Sequence, residues 1–183
     1  MESVRFIFKQ LVCGEGAVGK TSLVIMFTEK KFKENYIMTI GSNFALKSVQ
    51  LPEHDTSVKL QIWDLSGQVH FKAVRASFYT GGNGVIYVYD ITRAQSLQML
   101  ASWKKEVDKH SPGIPCIVLG NKADLEERRQ VSTEEGRKVA EQMGAIAFYE
   151  TSAKTGQNVE EAFHVIAREM YERALARAEG KHA

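Results

Sequence analysis

The feature that most constrains this chain is a glycine-rich loop at residues 14–21, with the sequence GEGAVGKT. A run rich in β-branched and aromatic residues precedes it at 5–13, and a helical pattern of apolar residues follows at 20–29. A loop that turns its amide N–H groups around phosphate oxygens needs positions without a Cβ atom, and glycine supplies them. Strand, loop and helix in this order predict an α/β fold that holds a nucleotide triphosphate at the amino end of the helix.

Individual residues of this loop have different predicted roles. Gly14, Gly16 and Gly19 give the backbone its freedom. Lys20 reaches the outer phosphates, and the Thr21 hydroxyl is placed to ligate Mg²⁺ between the β- and γ-oxygens. The predicted nucleotide contacts here are Gly14, Glu15, Gly16, Ala17, Val18, Gly19, Lys20, Thr21 and Ser22. Because the pattern has few fixed positions, a glycine-rich turn without a ligand is the alternative.

Length and composition are those of one folded unit. With 183 residues, of which 44% are hydrophobic, the chain can bury one core, and we expect a single domain over residues 1–183. Its apolar runs are far shorter than the roughly 20 residues of a membrane span, and the amino terminus shows no secretory signal. The net charge of +2 gives no indication of nucleic-acid binding, and Cys13 and Cys116 fall in predicted strands as free thiols. These features predict an intracellular, soluble protein.

Apolar runs alternate with helical patterns along the chain, which predicts a mostly parallel sheet with helices on both faces. We predict strands near 5–13, 43–51, 58–64, 84–90, 114–120 and 146–150, and helices near 20–29, 69–79, 95–110, 132–143 and 158–177. The connection at 52–57 is too short for a helical crossover, so the second and third strands are predicted to form an antiparallel hairpin. The predicted fold class is α/β, with a six-stranded mixed sheet, one reversed edge strand and about five helices.

Two short strings follow the last two predicted strands and point to the base of the nucleotide. NKAD, at 121–124, ends in a carboxylate that can accept hydrogen bonds from N1–H and the exocyclic amine of guanine, whereas adenine lacks this pair of donors. In TSAK, at 151–154, a backbone N–H could meet the guanine carbonyl oxygen. The simpler alternatives are an Asx turn for the first string and a helix entry capped by Asn158 for the second. The predicted base contacts are Asn121, Lys122, Asp124, Leu125, Ser152, Ala153 and Lys154.

The string DLSGQ, at 64–68, closes the third predicted strand. It places the carboxylate of Asp64 near the Mg²⁺, the backbone amide of Gly67 near the γ-phosphate, and the side-chain amide of Gln68 near the attacking water. Phosphoryl transfer needs these three parts besides the loop and its lysine. The simpler alternative for Asp64 is a turn at the end of a strand.

Several segments together resemble the small GTPases of the Ras superfamily, and most closely their Rab branch. The segments are GEGAVGKT (14–21), YIMTIGSNF (36–44), LQIWDLSGQ (60–68), FYTGGNGVIYVYDIT (78–92), NKAD (121–124) and TSAK (151–154). They cover nearly the whole chain. The strings IGSNF, WDLSGQ and VYDIT favour the Rab branch over Ras or Rho.

This resemblance implies a P-loop NTPase G domain that uses GTP, GDP and Mg²⁺. It implies that Thr39 ligates Mg²⁺ and senses the γ-phosphate, that Phe32 packs beside the guanine, and that Tyr36 covers the phosphates. Gln68 would orient the hydrolytic water, and Lys122 would lie along the guanine face. Phe32 and Tyr36 could instead be ordinary packing aromatics. The predicted Mg²⁺ ligands are Thr21, Thr39 and Asp64, and the predicted catalytic residues are Gln68, Lys20 and Gly67.

The activity implied by the resemblance is that of a GTP-hydrolysing switch in vesicle trafficking. An exchange factor, a GTPase-activating protein and effectors would act through residues 34–44 and 64–79 of a monomer. Because no motif supplies an arginine in cis, we expect slow intrinsic hydrolysis, about 10⁻⁴ to 10⁻³ per second. The alternatives are a guanine-nucleotide-binding scaffold with negligible hydrolysis and an ATP-using P-loop enzyme.

The sequence also departs from the Rab pattern at two places. Leu65 and Ser66 stand where Thr-Ala is usual, and Val69 and His70 stand where Glu-Arg is usual. We expect catalysis to be retained but switch motion or regulator recognition to be altered. The final residues, 180–183, contain no cysteine for prenylation. We therefore expect a cytoplasmic protein, peripheral at membranes where a partner or a further tail recruits it.

Overall fold

The computed structural model describes residues 6–34 and 39–180, in which one six-stranded sheet forms the centre. Its strands are β1 (Phe6–Cys13), β2 (Ser42–Leu51), β3 (Thr56–Leu65), β4 (Gly84–Asp90), β5 (Cys116–Asn121) and β6 (Ala147–Glu150). Their order across the sheet is β2-β3-β1-β4-β5-β6. β2 runs antiparallel to β3, and the other neighbouring pairs are parallel. The predicted mixed sheet with a reversed edge strand is therefore confirmed.

The β2–β3 hairpin follows from the alternation in its sequence. Along β3, Val58, Leu60 and Ile62 are fully buried, and the side chains between them point to the opposite face. A 3₁₀ turn at Pro52–His54 joins the two strands, and Asp55 closes it with φ 47°, a left-handed conformation that aspartate tolerates. The short connection thus has the turn chemistry that an antiparallel pair requires.

Helices cover both faces of the sheet. They are α1 (Lys20–Glu29), α2 (Lys72–Tyr79), α3 (Ala94–Gln98), α4 (Leu100–His110), α5 (Thr133–Gln142) and α6 (Val159–Ala178). Two predicted helices differ from the structure. The one near 69–79 begins with a 3₁₀ turn at Val69–Phe71, and the one near 95–110 is divided at Met99. Backbone bonds into and out of Met99, from its N–H to Gln95 and from Trp103 to its carbonyl, carry the helical path across this division.

The starts of the last two helices differ in how they are capped. Ser132 and Glu135 form a reciprocal capping box at the start of α5, which satisfies two backbone N–H groups. Asn158 stands at the N-cap position of α6, but its side chain donates to the Glu150 carbonyl oxygen, 2.8 Å away, and forms no cap bond. Asn158 therefore occupies the N-cap position that the alternative interpretation gave it, but its side chain forms no cap bond.

The core consists of two clusters, one on each face of the sheet. α1 and α6 pack over the first face, where the rings of Phe27 and Phe163 stack 4.0 Å apart. α2, α4 and α5 cover the second face around residues such as Tyr87 and Trp103. Both cysteines are buried free thiols, as predicted. Among the described residues, no helix has the length and apolar character needed to cross a bilayer.

Candidate functional site

The predicted site segments meet at one edge of the sheet, where the strands end. A cleft of about 390 Å³ lies between the glycine-rich loop and the loops that follow β5 and β6. Its lining residues are Ala17, Gly19, Ser22, Phe32, Lys33, Glu34, Asn121, Lys122, Asp124, Leu125, Ala153 and Lys154. Lys33 and Glu34 are the two lining residues that were not predicted as nucleotide contacts. The only sign of them in the sequence is that they follow Phe32. Clefts beyond the carboxyl ends of parallel strands are the usual ligand sites of such sheets.

Close packing explains why two of the three glycine positions in the loop have no room for a Cβ atom. A Cβ atom on Gly14 would lie 2.2 Å from the Val88 carbonyl oxygen, and one on Gly19 would lie 2.2 Å from Asn121 Nδ2. At Gly16 the φ is not positive, so the unusual backbone conformation predicted there was wrong, and a Cβ would have no protein atom within 4 Å. The left-handed residue of this loop is Ala17 instead, with φ 62°.

Lys20, at the first turn of α1, is a buried cation with 5% of its surface exposed. Its Nζ atom donates to the carbonyl oxygens of Gly14 and Glu15, each at 2.8 Å. Burial lowers the pKa of Lys20 to about 8, although the nearby Asp64 carboxylate opposes this shift. The ammonium is thus fixed above the loop, where an anionic ligand would favour its charged form.

Three oxygen-bearing side chains from separate segments come together beside Lys20. Thr21 Oγ1 donates to Asp64 Oδ2, and Thr39 Oγ1 lies 2.8 Å from Thr21 Oγ1. Asp64 is 1% exposed, and burial raises the pKa of its carboxyl group, against the opposing effects of Lys20 and the Thr21 bond. Its Oδ1 atom has no hydrogen-bond partner among the described residues. A buried carboxylate with an unpartnered oxygen beside two hydroxyls fits a hard divalent cation such as Mg²⁺.

Asn121 joins the three loops that surround the base side of the cleft. Its Nδ2 atom donates to the Val18 carbonyl oxygen at 2.9 Å. Its Oδ1 atom accepts from Thr151 Oγ1 at 3.1 Å and from the Ala153 amide at 3.3 Å. Because Asn121 is 1% exposed, these bonds satisfy groups that water does not reach. One side chain therefore fixes the spacing of three predicted site segments.

Asp124 and Lys122 are held by further contacts within the cleft. Ser152 Oγ donates to Asp124 Oδ1 at 2.7 Å, which orients the carboxylate from the neighbouring loop. Lys122, left-handed at φ 68°, donates to the Ala17 carbonyl oxygen and pairs with Asp90 Oδ2, each at 2.8 Å. The TSAK loop is not a helix entry, since residues 155–158 separate it from α6.

Asp90, the last residue of β4, is a buried group that sequence reasoning missed. Burial alone would raise the pKa of its carboxyl group, but bonds from Lys122 and Thr92 outweigh that effect and hold the pKa below its ordinary value. Asp90 thus stays ionised and fixes the Lys122 ammonium. Its position within the string VYDIT was the only available signal.

The segment that follows β3 lies directly against the glycine-rich loop. A Cβ on Gly67 would come within 2.3 Å of the Gly16 nitrogen and 2.4 Å of the Glu15 carbonyl carbon, so only glycine fits. Ser66 Oγ accepts from the Gln68 amide at 3.3 Å. The segment is also tied to the start of β2, because the Ser66 amide donates to the Gly41 carbonyl oxygen at 2.8 Å.

The remaining predicted residues lie at the rim of the site or beyond the described residues. Phe32 is 37% exposed and lines the cleft from one side. Tyr36 lies outside the described residues. Lys154 and Leu125 also line the cleft, on its base side.

Comparison with known proteins agrees with this geometry. Residues 9–172 match the Ras family. The chain is 40% identical over 178 residues to Ras-related protein Rab-13 of Mesocricetus auratus, which covers 97% of this chain and 86% of the relative. It is 39% identical to Rab-8A of Gallus gallus, covering 96% and 84% of the two chains, and 41% identical to Rab-8B of Homo sapiens, covering 90% and 79%. The chain belongs to the Ras family and is a Rab-like small GTPase.

Proposed function

We propose that this chain is a Rab-type switch that binds GTP and GDP with Mg²⁺, hydrolyses GTP slowly and acts in membrane trafficking. The observation that carries the proposal is the meeting, in one cleft, of the glycine-rich loop with the loops at 121–125 and 151–154. A G domain over residues 1–183 would then provide all parts of the nucleotide site. Nothing in the matched family or relatives favours the scaffold or the ATP-using enzyme.

The base side of the cleft selects guanine. Asp124, oriented by Ser152, offers carboxylate oxygens to the N1–H and amine of the base. Asn121 keeps the loops at the spacing that this pairing requires, and Lys122, fixed by Asp90, lies along the ring. The backbone of Ala153 and Lys154 faces the guanine carbonyl oxygen from the opposite loop.

The phosphate side neutralises charge and holds the metal. Lys20 binds the outer phosphates from above the loop, and the backbone amides of residues 14–22 surround them. Thr21, Thr39 and Asp64 would hold Mg²⁺, which neutralises negative charge on the phosphate oxygens.

Hydrolysis depends on the segment that follows β3. The Gly67 amide donates to the γ-phosphate, and the Gln68 side chain orients the attacking water. Because the motifs place no arginine beside the γ-phosphate, the intrinsic rate is about 10⁻⁴ to 10⁻³ per second. An activating protein that supplies a positive charge beside the γ-phosphate would accelerate the reaction.

Regulators and effectors act on the surface formed by residues 34–44 and 64–79. Ile40, Phe44 and Val74 in these segments expose 78%, 49% and 48% of their surfaces. Trp63 lies between the rings of Phe44 and Phe78, at 5.0 Å and 5.3 Å. Exposed apolar groups are typical of protein-binding surfaces. The protein would act as a monomer and reach membranes through its partners.

Single-turnover hydrolysis of GTP by the purified protein with Mg²⁺ tests this proposal, with ATP as the competing nucleotide. We expect slow phosphate release from GTP, and we expect Gln68→Leu to abolish it without weakening GTP binding. Gln98→Leu, an exposed glutamine on α3, is the matched control. Tight GTP binding without phosphate release would favour the scaffold, and preference for ATP would overturn the proposal.

A further inference from the structure

Arg75, on α2, is a buried cation whose three side-chain nitrogens all have hydrogen-bond acceptors. A guanidinium has about five N–H donors on three nitrogens, and each nitrogen of Arg75, which is 3% exposed, has an acceptor. Nε donates to Tyr79 Oη at 3.2 Å. Nη1 donates to the carbonyl oxygens of Ser66 and Gln68, at 3.1 Å and 2.8 Å. Nη2 donates to both carboxylate oxygens of Glu106, at 3.2 Å and 3.3 Å.

The bond to Ser66 fixes the orientation of the Gly67 amide. The Ser66 carbonyl and the Gly67 N–H belong to one planar, trans peptide unit, so they point in opposite directions. Since the carbonyl faces Arg75, the N–H faces away from it. Gly67 itself lies against the glycine-rich loop, where its own backbone packs on Gly16 and Glu15. The bond to the Gln68 carbonyl fixes the peptide unit that follows Gln68.

Arg75 is in turn held from α4 and from the glycine-rich loop. Its guanidinium lies 4.2 Å from the ring centroid of Trp103, a cation–π arrangement. The indole N–H of Trp103 donates to Glu15 Oε1 at 3.3 Å. Glu106, one turn further along α4, supplies the carboxylate, both of whose oxygens face Arg75 Nη2. These contacts connect the glycine-rich loop, through α4 and Arg75, to the backbone of residues 66–68.

Stability is a weak reason for this arrangement. Placing an arginine and a glutamate in the interior costs desolvation free energy that their attraction rarely exceeds. The pair does provide a rigid, planar fork with two backbone carbonyls in its reach, which an apolar pair could not offer. The result is a fixed orientation of two peptide units, the one between Ser66 and Gly67 and the one that follows Gln68.

We propose that Arg75, supported by Glu106 and Trp103, is a positioning residue for GTP hydrolysis. It holds the Ser66 carbonyl so that the Gly67 N–H faces the γ-phosphate, and it places the backbone from which the Gln68 side chain extends. The inference rests on the proposed function, in which Gly67 and Gln68 act on the γ-phosphate. Arg75 itself touches neither the nucleotide nor the water.

Two readouts on Arg75→Met, Arg75→Lys and Glu106→Gln test the proposal: the single-turnover rate of GTP hydrolysis, and the ratio of affinities for GDP and a non-hydrolysable GTP analogue. Misplacing the 66–68 segment should slow hydrolysis by about 10- to 100-fold in Arg75→Met. Affinity for the analogue should fall relative to GDP, because only the analogue carries a γ-phosphate. Arg75→Lys keeps the charge but loses the fork, so it should also be slow, whereas Glu106→Gln should be intermediate.

Val107→Ala is the matched control for lost stability, because it removes buried methyl groups from α4, the helix that carries Trp103 and Glu106. It should lower the melting temperature and leave the hydrolysis rate near that of the wild type. The proposal is overturned if Val107→Ala slows hydrolysis as much as an Arg75 variant with the same melting temperature does. It is also overturned if Arg75→Lys and Arg75→Met hydrolyse GTP at the wild-type rate. If the wild type does not hydrolyse GTP, the proposed function fails, and the affinity ratio of the Arg75 variants still decides this inference. Should Arg75→Met not fold, Arg75→Lys and Glu106→Gln carry the test.

Discussion

The base side and the γ-phosphate side of the cleft are built in different ways. On the base side, loops are joined to one another by several buried bonds, of which Asn121 alone makes three. On the γ-phosphate side, the carbonyls of Ser66 and Gln68 accept from Arg75, and the Gln68 carbonyl also accepts from the Phe71 amide. The Ser66 amide donates to the Gly41 carbonyl, and the Gln68 amide to Ser66 Oγ. The base-side bonds join segments at least 30 residues apart in the chain, whereas the Arg75 bonds to residues 66–68 span only 9 and 7 residues. Apart from the bond to Gly41, these bonds of residues 66–68 are made by nearby residues of the chain.

This difference indicates which part of the molecule can change shape. Segments held by many interlocking bonds open only at high free energy, whereas segments held by a few contacts rearrange at low cost. A switch needs a constant part that binds both nucleotides and a variable part that responds to the γ-phosphate. We therefore expect substitutions on the base side to change affinity for GTP and GDP alike, and those on the other side to separate the two.

The largest effect is expected from Asp124→Asn. The carboxylate is proposed to accept two hydrogen bonds from guanine, and losing these charge-assisted bonds should weaken GTP and GDP binding by about 100- to 10,000-fold. Equilibrium titration with fluorescent GTP and GDP measures it. Asp108→Asn, a carboxylate paired with Lys104 on α4, is the control and should bind like the wild type. An effect on GTP without an equal effect on GDP would contradict the assignment to the base.

Asn121→Ala should be next in size and should affect folding as well as binding. It leaves the Val18 carbonyl and the Thr151 hydroxyl without their buried partner, which should cost about 2–4 kcal/mol of unfolding free energy. Denaturant unfolding measures this cost, and nucleotide titration measures the accompanying loss of affinity. Unchanged stability would show that the three loops are not joined through Asn121.

Asp64→Asn should have a smaller effect that is specific to Mg²⁺. The amide keeps an oxygen for the Thr21 hydroxyl but loses the negative charge that a divalent cation prefers. The Mg²⁺ concentration needed for half-maximal retention of GDP should rise by about 10- to 100-fold. Retention of GDP in excess EDTA should be the same in the variant and the wild type. A difference in EDTA would mean that Asp64 acts without the metal.

Ser66→Ala should have the smallest effect. The Ser66 hydroxyl accepts one long bond from the Gln68 amide, at 3.3 Å, so its loss should cost about 0.5 kcal/mol and change hydrolysis by roughly two- to threefold. Single-turnover hydrolysis measures it. A large effect would mean that Ser66, rather than Arg75, sets the position of Gln68.

The sequence predicted most of the fold because its signals are local. β4 and β5 are short apolar runs and β3 alternates between buried and less buried residues, while the reversed edge strand follows from the length of one connection, at 52–57. The division of the helix at Met99 and the 3₁₀ turn at Val69–Phe71 were missed, because helical spacing of apolar residues continues through both.

The nucleotide-facing residues were likewise predictable from short strings, but their supports were not. Asp90 pairs with Lys122, and Arg75 pairs with Glu106. The partners are about 31 residues or more apart in the chain, and no local spacing marks such pairs. A short string can also mislead about the backbone. The glycine pattern predicted an unusual backbone conformation at Gly16, but the left-handed residue is Ala17. Backbone strain depends on what surrounds the loop.

Hydrogen exchange of the protein loaded with GDP, and separately with a non-hydrolysable GTP analogue, tests the contrast between the two sides most directly. We predict that backbone protection will differ between the two states in residues 39–44 and 64–79, and will be the same in residues 121–125 and 151–154. Equal protection everywhere, or a change that is larger on the base side than on the γ-phosphate side, would contradict the account.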